Sequence, residues 1–249
     1  MSIFRILGWA GWLAALAAVA ACYVVLTELQ DTRRELRLET LRLPPAPATR
    51  LPDTWQDAPY RVLLVGDSRI AEWYALPNEN NVVFATSGVG GESTAEVRER
   101  FARDVLALDP APDEIVLAAG INDLVGASVQ TRNVPGIHDL IADRMLGHLA
   151  AMAEDASAQG IKVNVATIVQ PTEPDLQRSL LFWDDVLYEL VSEANARIAE
   201  LGYDVIDFNQ ALSGGDGPLP GEYSRDTLHF NQLGYTTLND ALSKAFSSR

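Results

Sequence analysis

Four short stretches of this chain carry side chains suited to nucleophilic acyl chemistry. The first is Gly66-Asp67-Ser68-Arg69, directly after an apolar run rich in β-formers. A serine at a tight strand-to-helix turn exposes its hydroxyl and places it beside the free amides and positive end of a helix, which favour a developing oxyanion. Taken alone, Ser68 reads more readily as a helix cap. The second is Gly88-Val89-Gly90-Gly91-Glu92-Ser93, where three glycines in four residues let a backbone approach a ligand and present its amides. It lacks the G-x-G-x-x-G spacing of a dinucleotide loop and follows the wrong strand for one. The third, Gly120-Ile121-Asn122-Asp123, offers a side-chain amide that can donate to an oxyanion, or simply an Asn-Asp turn. The fourth is Asp226-Thr227-Leu228-His229-Phe230. A histidine acts as general base once one ring nitrogen has a partner that fixes the tautomer, and a carboxylate three residues earlier on a turn can reach it. His138 and His148 fall in or beside an expected helix and read as structural.

Elements that would hold these residues follow from hydrophobic periodicity. Continuous apolar runs at Arg61–Val65, Asn81–Ala85, Glu114–Ala118, Lys162–Ile168 and Tyr203–Asp207 read as parallel strands covered on both faces. Between them lie helical patterns. Val97, Phe101 and Val105 recur every four residues behind an N-cap at Ser93 or Thr94. Further helices are expected over Leu140–Ala158, Trp183–Leu201 and Gln232–Phe246, with Gly160 and Gly202 where helices stop. This alternation predicts a three-layer α/β/α sandwich on a five-stranded parallel sheet. Ligands of such sheets bind beyond the carboxyl ends of the strands, where the first three stretches lie and which the fourth follows.

In order and spacing, the four stretches resemble the SGNH hydrolases, also called the GDSL esterase/lipase family, from about Arg61 to Phe246. The resemblance implies a flavodoxin-like fold, Ser68 as nucleophile, and His229 with Asp226 as the rest of a triad. It assigns the oxyanion hole to the Ser68 and Gly91 amides and to Asn122. A mechanism of that kind cleaves carboxylic esters through an acyl-enzyme and needs no metal or organic cofactor. Acetylated carbohydrates, short-chain acyl esters and lysophospholipids are the expected substrates. Acyl transfer to a sugar hydroxyl, or a binding module with an idle triad, stays open. Arg69 stands where the family usually has leucine and changes the local charge, and Thr86 replaces an asparagine that often opens the second block.

The rest of the chain concerns location. Ile6 to Thr27 is a run of 22 residues without a charge, long enough as a helix to cross a bilayer. It is expected to be a transmembrane signal anchor (residues 1–27); a cleaved secretory signal, or a lipoprotein signal ending at Cys22, are alternatives. Residues 28–58 read as a charged helix and a proline-rich linker, and residues 59–249 as the hydrolase domain, expected on the exported side. Basic residues are more numerous after the apolar run than before it, which by the positive-inside rule argues for the opposite orientation. The net charge of −15 disfavours nucleic acid as a partner. Oligomeric state has no signal in the sequence.

Overall fold

The computed structural model describes Trp12, residues 16–25, 27–28, 48–77, 81–130, 134–181, 183–215, 217–247 and Arg249. The chain forms two compact units, Met1–Ala46 and Pro47–Arg249. In the first, residues 16–25 are helical and exposed. No helix among the described residues is long and apolar enough to cross a membrane. Much of the expected anchor over Ile6–Thr27 lies outside the described residues.

The second unit is an α/β fold on a six-stranded sheet. Its strands are β1 (Thr49–Arg50), β2 (Tyr60–Gly66), β3 (Val82–Gly88), β4 (Glu114–Ala118), β5 (Lys162–Ala166) and β6 (Asp204–Ile206), in the spatial order β1-β3-β2-β4-β5-β6. β2 to β6 are the five expected strands, all parallel, and their order is that of flavodoxin-like folds. The sheet is mixed, not purely parallel, because β1 adds an antiparallel edge through Thr49 opposite Ser87 and Arg50 opposite Thr86. Two polar residues after a proline-rich stretch carry no strand periodicity, so β1 is invisible to the pattern that reveals the others. Residues 48–58 read in the sequence as part of the linker. They contain β1 and Trp55, which is buried and donates its indole N–H to the Pro110 carbonyl at 3.1 Å.

Helices cover both faces. Successive side chains of a strand point to opposite faces. Leu63 and Val65 therefore enter one core, with α2 (Thr94–Phe101), α3 (Ile121–Gln130), α4 (Ile137–Ala158) and α6 (Val186–Ile198). Val62 and Leu64 enter the other, with α1 (Ser68–Ala71), α7 (Phe208–Ser213) and α8 (Gln232–Phe246). A further short helix, α5, spans Leu176–Leu181.

Element ends differ from the sequence expectation where side chains replace backbone partners. β5 stops at Ala166, two residues early, because the Thr167 hydroxyl donates to Asp207 and the Ile168 amide donates to the Asn195 side chain. α6 starts at Val186, not Trp183, since Asp184 accepts the Val186 amide and the Trp183 indole donates to Asp185. The register pairs Gly66 with both Gly88 and Ala118, so the ends of β2, β3 and β4 open at one level.

Candidate active site

Backbone crowding fixes the turn after β2. A side chain at Gly66 would put its Cβ 2.1 Å from the Ala118 carbonyl oxygen, so only glycine lets β2 and β4 pair there. Asp67 then caps α1, its Oδ1 accepting the Arg69 amide at 3.0 Å. Ser68 is the first residue of α1, with 9% of its surface exposed. Burial pushes the Asp67 carboxyl up to about 6, against the pull of the Arg69 charge and amide.

The turn before α8 brings the histidine. Asp226 Oδ1 accepts the backbone amides of Leu228 at 2.9 Å and His229 at 3.0 Å. The same carboxylate reaches His229 Nδ1 at 2.9 and 3.0 Å. His229 Nε2 lies 3.0 Å from Ser68 Oγ. With the proton on Nδ1 directed at the carboxylate, Nε2 is free to accept from the serine hydroxyl. Burial works to raise the Asp226 pKa. The two amides and the imidazole outweigh it and hold the carboxyl well below the usual carboxylate range.

The loop after β3 approaches from the other side. A Cβ on Gly90 would sit 3.9 Å from the Ser68 Cβ, which measures how closely the loop passes the serine. Gly91 has φ of +79°, the left-handed region that favours glycine, and a side chain there would meet nothing within 4 Å. Asn122, at the start of α3, donates from Nδ2 to the Glu92 carbonyl at 2.9 Å. That bond uses one of the two amide protons. The structure thus ties Asn122 to the Gly91 loop, and Ser68 to His229 and Asp226.

Several residues that sequence reasoning missed hold this loop. Arg100 is buried and donates from Nε to Glu92 at 2.7 Å, from Nη1 to Ser87 Oγ at 2.8 Å and from Nη2 to the Gly66 carbonyl at 2.8 Å. One guanidinium thereby links the strand end before Ser68 to the residue after Gly91. Desolvation raises the Glu92 pKa despite that partner. Asp123 accepts the Thr94 amide and hydroxyl, each at 2.8 Å, and Thr94 Oγ1 lies 3.1 Å from His148 Nδ1. Ser93 closes α2 with a capping box to Glu96. A signal for Arg100 exists in the sequence: it lies three residues after Val97, on the buried stripe of α2, where an arginine needs partners. Among the described residues, no group of three His, Cys, Asp or Glu side chains is placed to hold a metal ion.

The model of the GDSL-like lipase/acylhydrolase family matches residues 44–237. No curated protein sequence matches the chain. Among solved structures, a GDSL-like lipase from Bacteroides thetaiotaomicron is 21% identical, with a TM-score of 0.59 over 86% of this chain and 96% of its own. A lipase/acylhydrolase from Enterococcus faecalis is 22% identical, with a TM-score of 0.53 over 76% and 96%. An acetylxylan esterase from Geobacillus stearothermophilus is 15% identical, with a TM-score of 0.53 over 75% and 94%. At these identities the likeness is one of fold.

Proposed function

We propose that this chain, which belongs to the GDSL-like lipase/acylhydrolase family, hydrolyses carboxylic esters with Ser68 as nucleophile, His229 as general base and Asp226 as its orienting partner. One observation carries the reading: a continuous hydrogen-bonded path from Ser68 Oγ through His229 to the Asp226 carboxylate. His229 Nε2 takes the hydroxyl proton as Ser68 Oγ attacks the ester carbonyl carbon. The tetrahedral oxyanion is held by the Ser68 and Gly91 amides and by the second Asn122 amide proton. Collapse breaks the bond to the alcohol oxygen, which leaves with the proton from His229. Water, deprotonated by His229, then cleaves the acyl-enzyme and restores Ser68.

The substrates proposed are carboxylic esters, with acetylated carbohydrate first, short-chain acyl esters and lysophospholipids next. An acetylxylan esterase among the structural neighbours makes acetylated xylan a natural first substrate to assay. Hydrolysis of p-nitrophenyl acetate, longer p-nitrophenyl esters and acetylated xylan by the full chain tests the reading. Acetate release from the short substrates supports it. A chain inert toward all of them, and unlabelled by a fluorophosphonate, contradicts it.

We also propose that the uncharged run Ile6–Thr27 anchors the enzyme in a membrane, with the hydrolase unit on the exported side. Length and the absence of charge support the anchor, while the basic residues after the run weigh against the exported orientation.

A further inference from the structure

Arg69 is the residue at which this chain departs from the usual serine block, and its side chain turns inward, away from solvent. It is 7% exposed. Its Nη1 donates to the Val169 carbonyl at 2.8 Å and its Nε to the Leu228 carbonyl at 3.0 Å. Its guanidinium carbon sits 4.9 Å from the centre of the Phe230 ring. Leu228 and Phe230 flank His229, so the arginine grips the histidine turn on both sides of the base. Val169 belongs to the segment after β5, so a third piece of chain is pinned by the same group. The Arg69 carbonyl in turn accepts the Tyr235 hydroxyl of α8 at 2.9 Å, and the Tyr235 ring packs edge-on against Phe230 at 5.5 Å.

The guanidinium is poorly placed to recognise an anionic substrate, since it lies buried over an aromatic face with Nε and Nη1 on carbonyls, and its Nη2 is buried without a hydrogen-bond partner among the described residues. What it does geometrically is different. Ser68 and Arg69 are adjacent on one short helix, and Arg69 bonds the carbonyl of the residue before His229. Any drift of the histidine turn away from the nucleophile must break that bond. The Asp226 carboxylate orients the imidazole within its own turn. It makes no bond to α1, so it leaves the distance between turn and nucleophile unfixed. The planar fork of an arginine suits this task, since its donors leave in fixed directions and less freedom is lost for each bond formed. The leucine usual in the family supplies no donor to either carbonyl.

We propose that Arg69 is a positioning residue that fixes His229 against Ser68 by clamping the carbonyl of Leu228 and the ring of Phe230 to the nucleophile helix. The proposal rests on the roles given above to Ser68 and His229. Arg69 also lines a partly open pocket of about 30 Å³ together with Asp67, Thr167 and Phe230, so the shorter Arg69→Met side chain has space to settle without displacing its neighbours.

The test compares the full-length wild type with Arg69→Met, Arg69→Lys and Ser68→Ala. The readouts are kcat and KM on p-nitrophenyl acetate, the rate of fluorophosphonate labelling and the melting temperature. Misplacing a reacting group by about 1 Å costs up to ~10²-fold in rate. Arg69→Met is expected to lose about 10–10² in kcat and in labelling rate, with KM within about threefold, after correction for the folded fraction. Arg69→Lys keeps the charge and loses the fork, so an intermediate kcat is expected with KM again unmoved. A folded variant of either kind with kcat within threefold of wild type overturns the proposal. So does a rise in KM at constant kcat, which would make Arg69 a substrate contact. Failure of both variants to fold assigns Arg69 to stability alone and overturns it too. Ser68→Ala separates the two layers: activity there removes the underlying site reading, whereas an inactive Ser68→Ala beside a fully active Arg69→Met removes only this inference.

Discussion

Ser68 Oγ and His229 Nε2 meet at 3.0 Å although 161 positions separate them in the chain. The juxtaposition is a product of topology. β2 ends at the nucleophile, and the turn before α8 returns the base to the same end of the sheet. What each predicted residue contributes can be separated by substitution.

Asn122→Ala is expected to lower kcat by about 10²–10³ with little change in KM, since a donor to the oxyanion bonds the transition state more strongly than the ground-state carbonyl. The substitution also removes the bond to the Glu92 carbonyl. Melting temperature and kcat measured on one preparation separate the two effects. A destabilised protein with intact kcat would make Asn122 a turn residue.

Arg100→Leu strips Glu92, Ser87 and the Gly66 carbonyl of one shared donor. Removing one member of a buried ion pair costs about 3–5 kcal/mol. Because the same group braces the residue after Gly91, kcat should fall as well. Glu92→Gln keeps an acceptor for Arg100 and should cost distinctly less. Urea unfolding of both variants checks the order; equal losses would show that the charge, not the geometry, is what Arg100 supplies.

Asp67 gives a pH dependence with a definite sign. Its folded-state pKa of about 6 exceeds the unfolded value of 3.8, so the native state binds the proton more tightly. Its contribution to stability is full below pH 3.8 and is lost as pH rises through 6. Asp67→Asn stays neutral and keeps an oxygen to cap the Arg69 amide. The variant should therefore match the wild type near pH 4 and exceed its stability by up to about 3 kcal/mol at pH 8. Asp226 acts in the opposite sense, since its depressed pKa stabilises the fold above the ordinary carboxylate range and that stability is lost in strong acid. Denaturation of both proteins across this range isolates Asp67. A difference that does not vary with pH contradicts the raised pKa.

A chain beginning at Pro47 keeps the whole of the second compact unit, including β1 and Trp55. It should be soluble and as active as the full chain in detergent, while the full chain should sediment with membranes. A full-length protein that stays in the soluble fraction would refute the anchor.

The sequence revealed what depends on local pattern. Buried parallel strands are continuous apolar runs, so β2 to β6 could be read directly, and each of the first three chemical stretches follows one of them. Asp226 and His229 were legible because three residues on one turn bring a carboxylate to a ring nitrogen. The interior polar groups were hidden because their partners are distant: Arg100 meets Gly66 34 positions away, and Arg69 meets Leu228 159 positions away. Sequence alone suggested that Arg69 alters the charge of the site; folded, it is buried beneath the histidine turn. β1 was hidden for another reason, since two paired residues produce no period.

Whether Ser68 is the nucleophile is decided by the kcat of Ser68→Ala on p-nitrophenyl acetate. A loss of at least ~10³-fold is expected with the melting temperature preserved, and no fluorophosphonate adduct on the variant. A folded Ser68→Ala protein retaining more than a tenth of the wild-type rate would contradict that role.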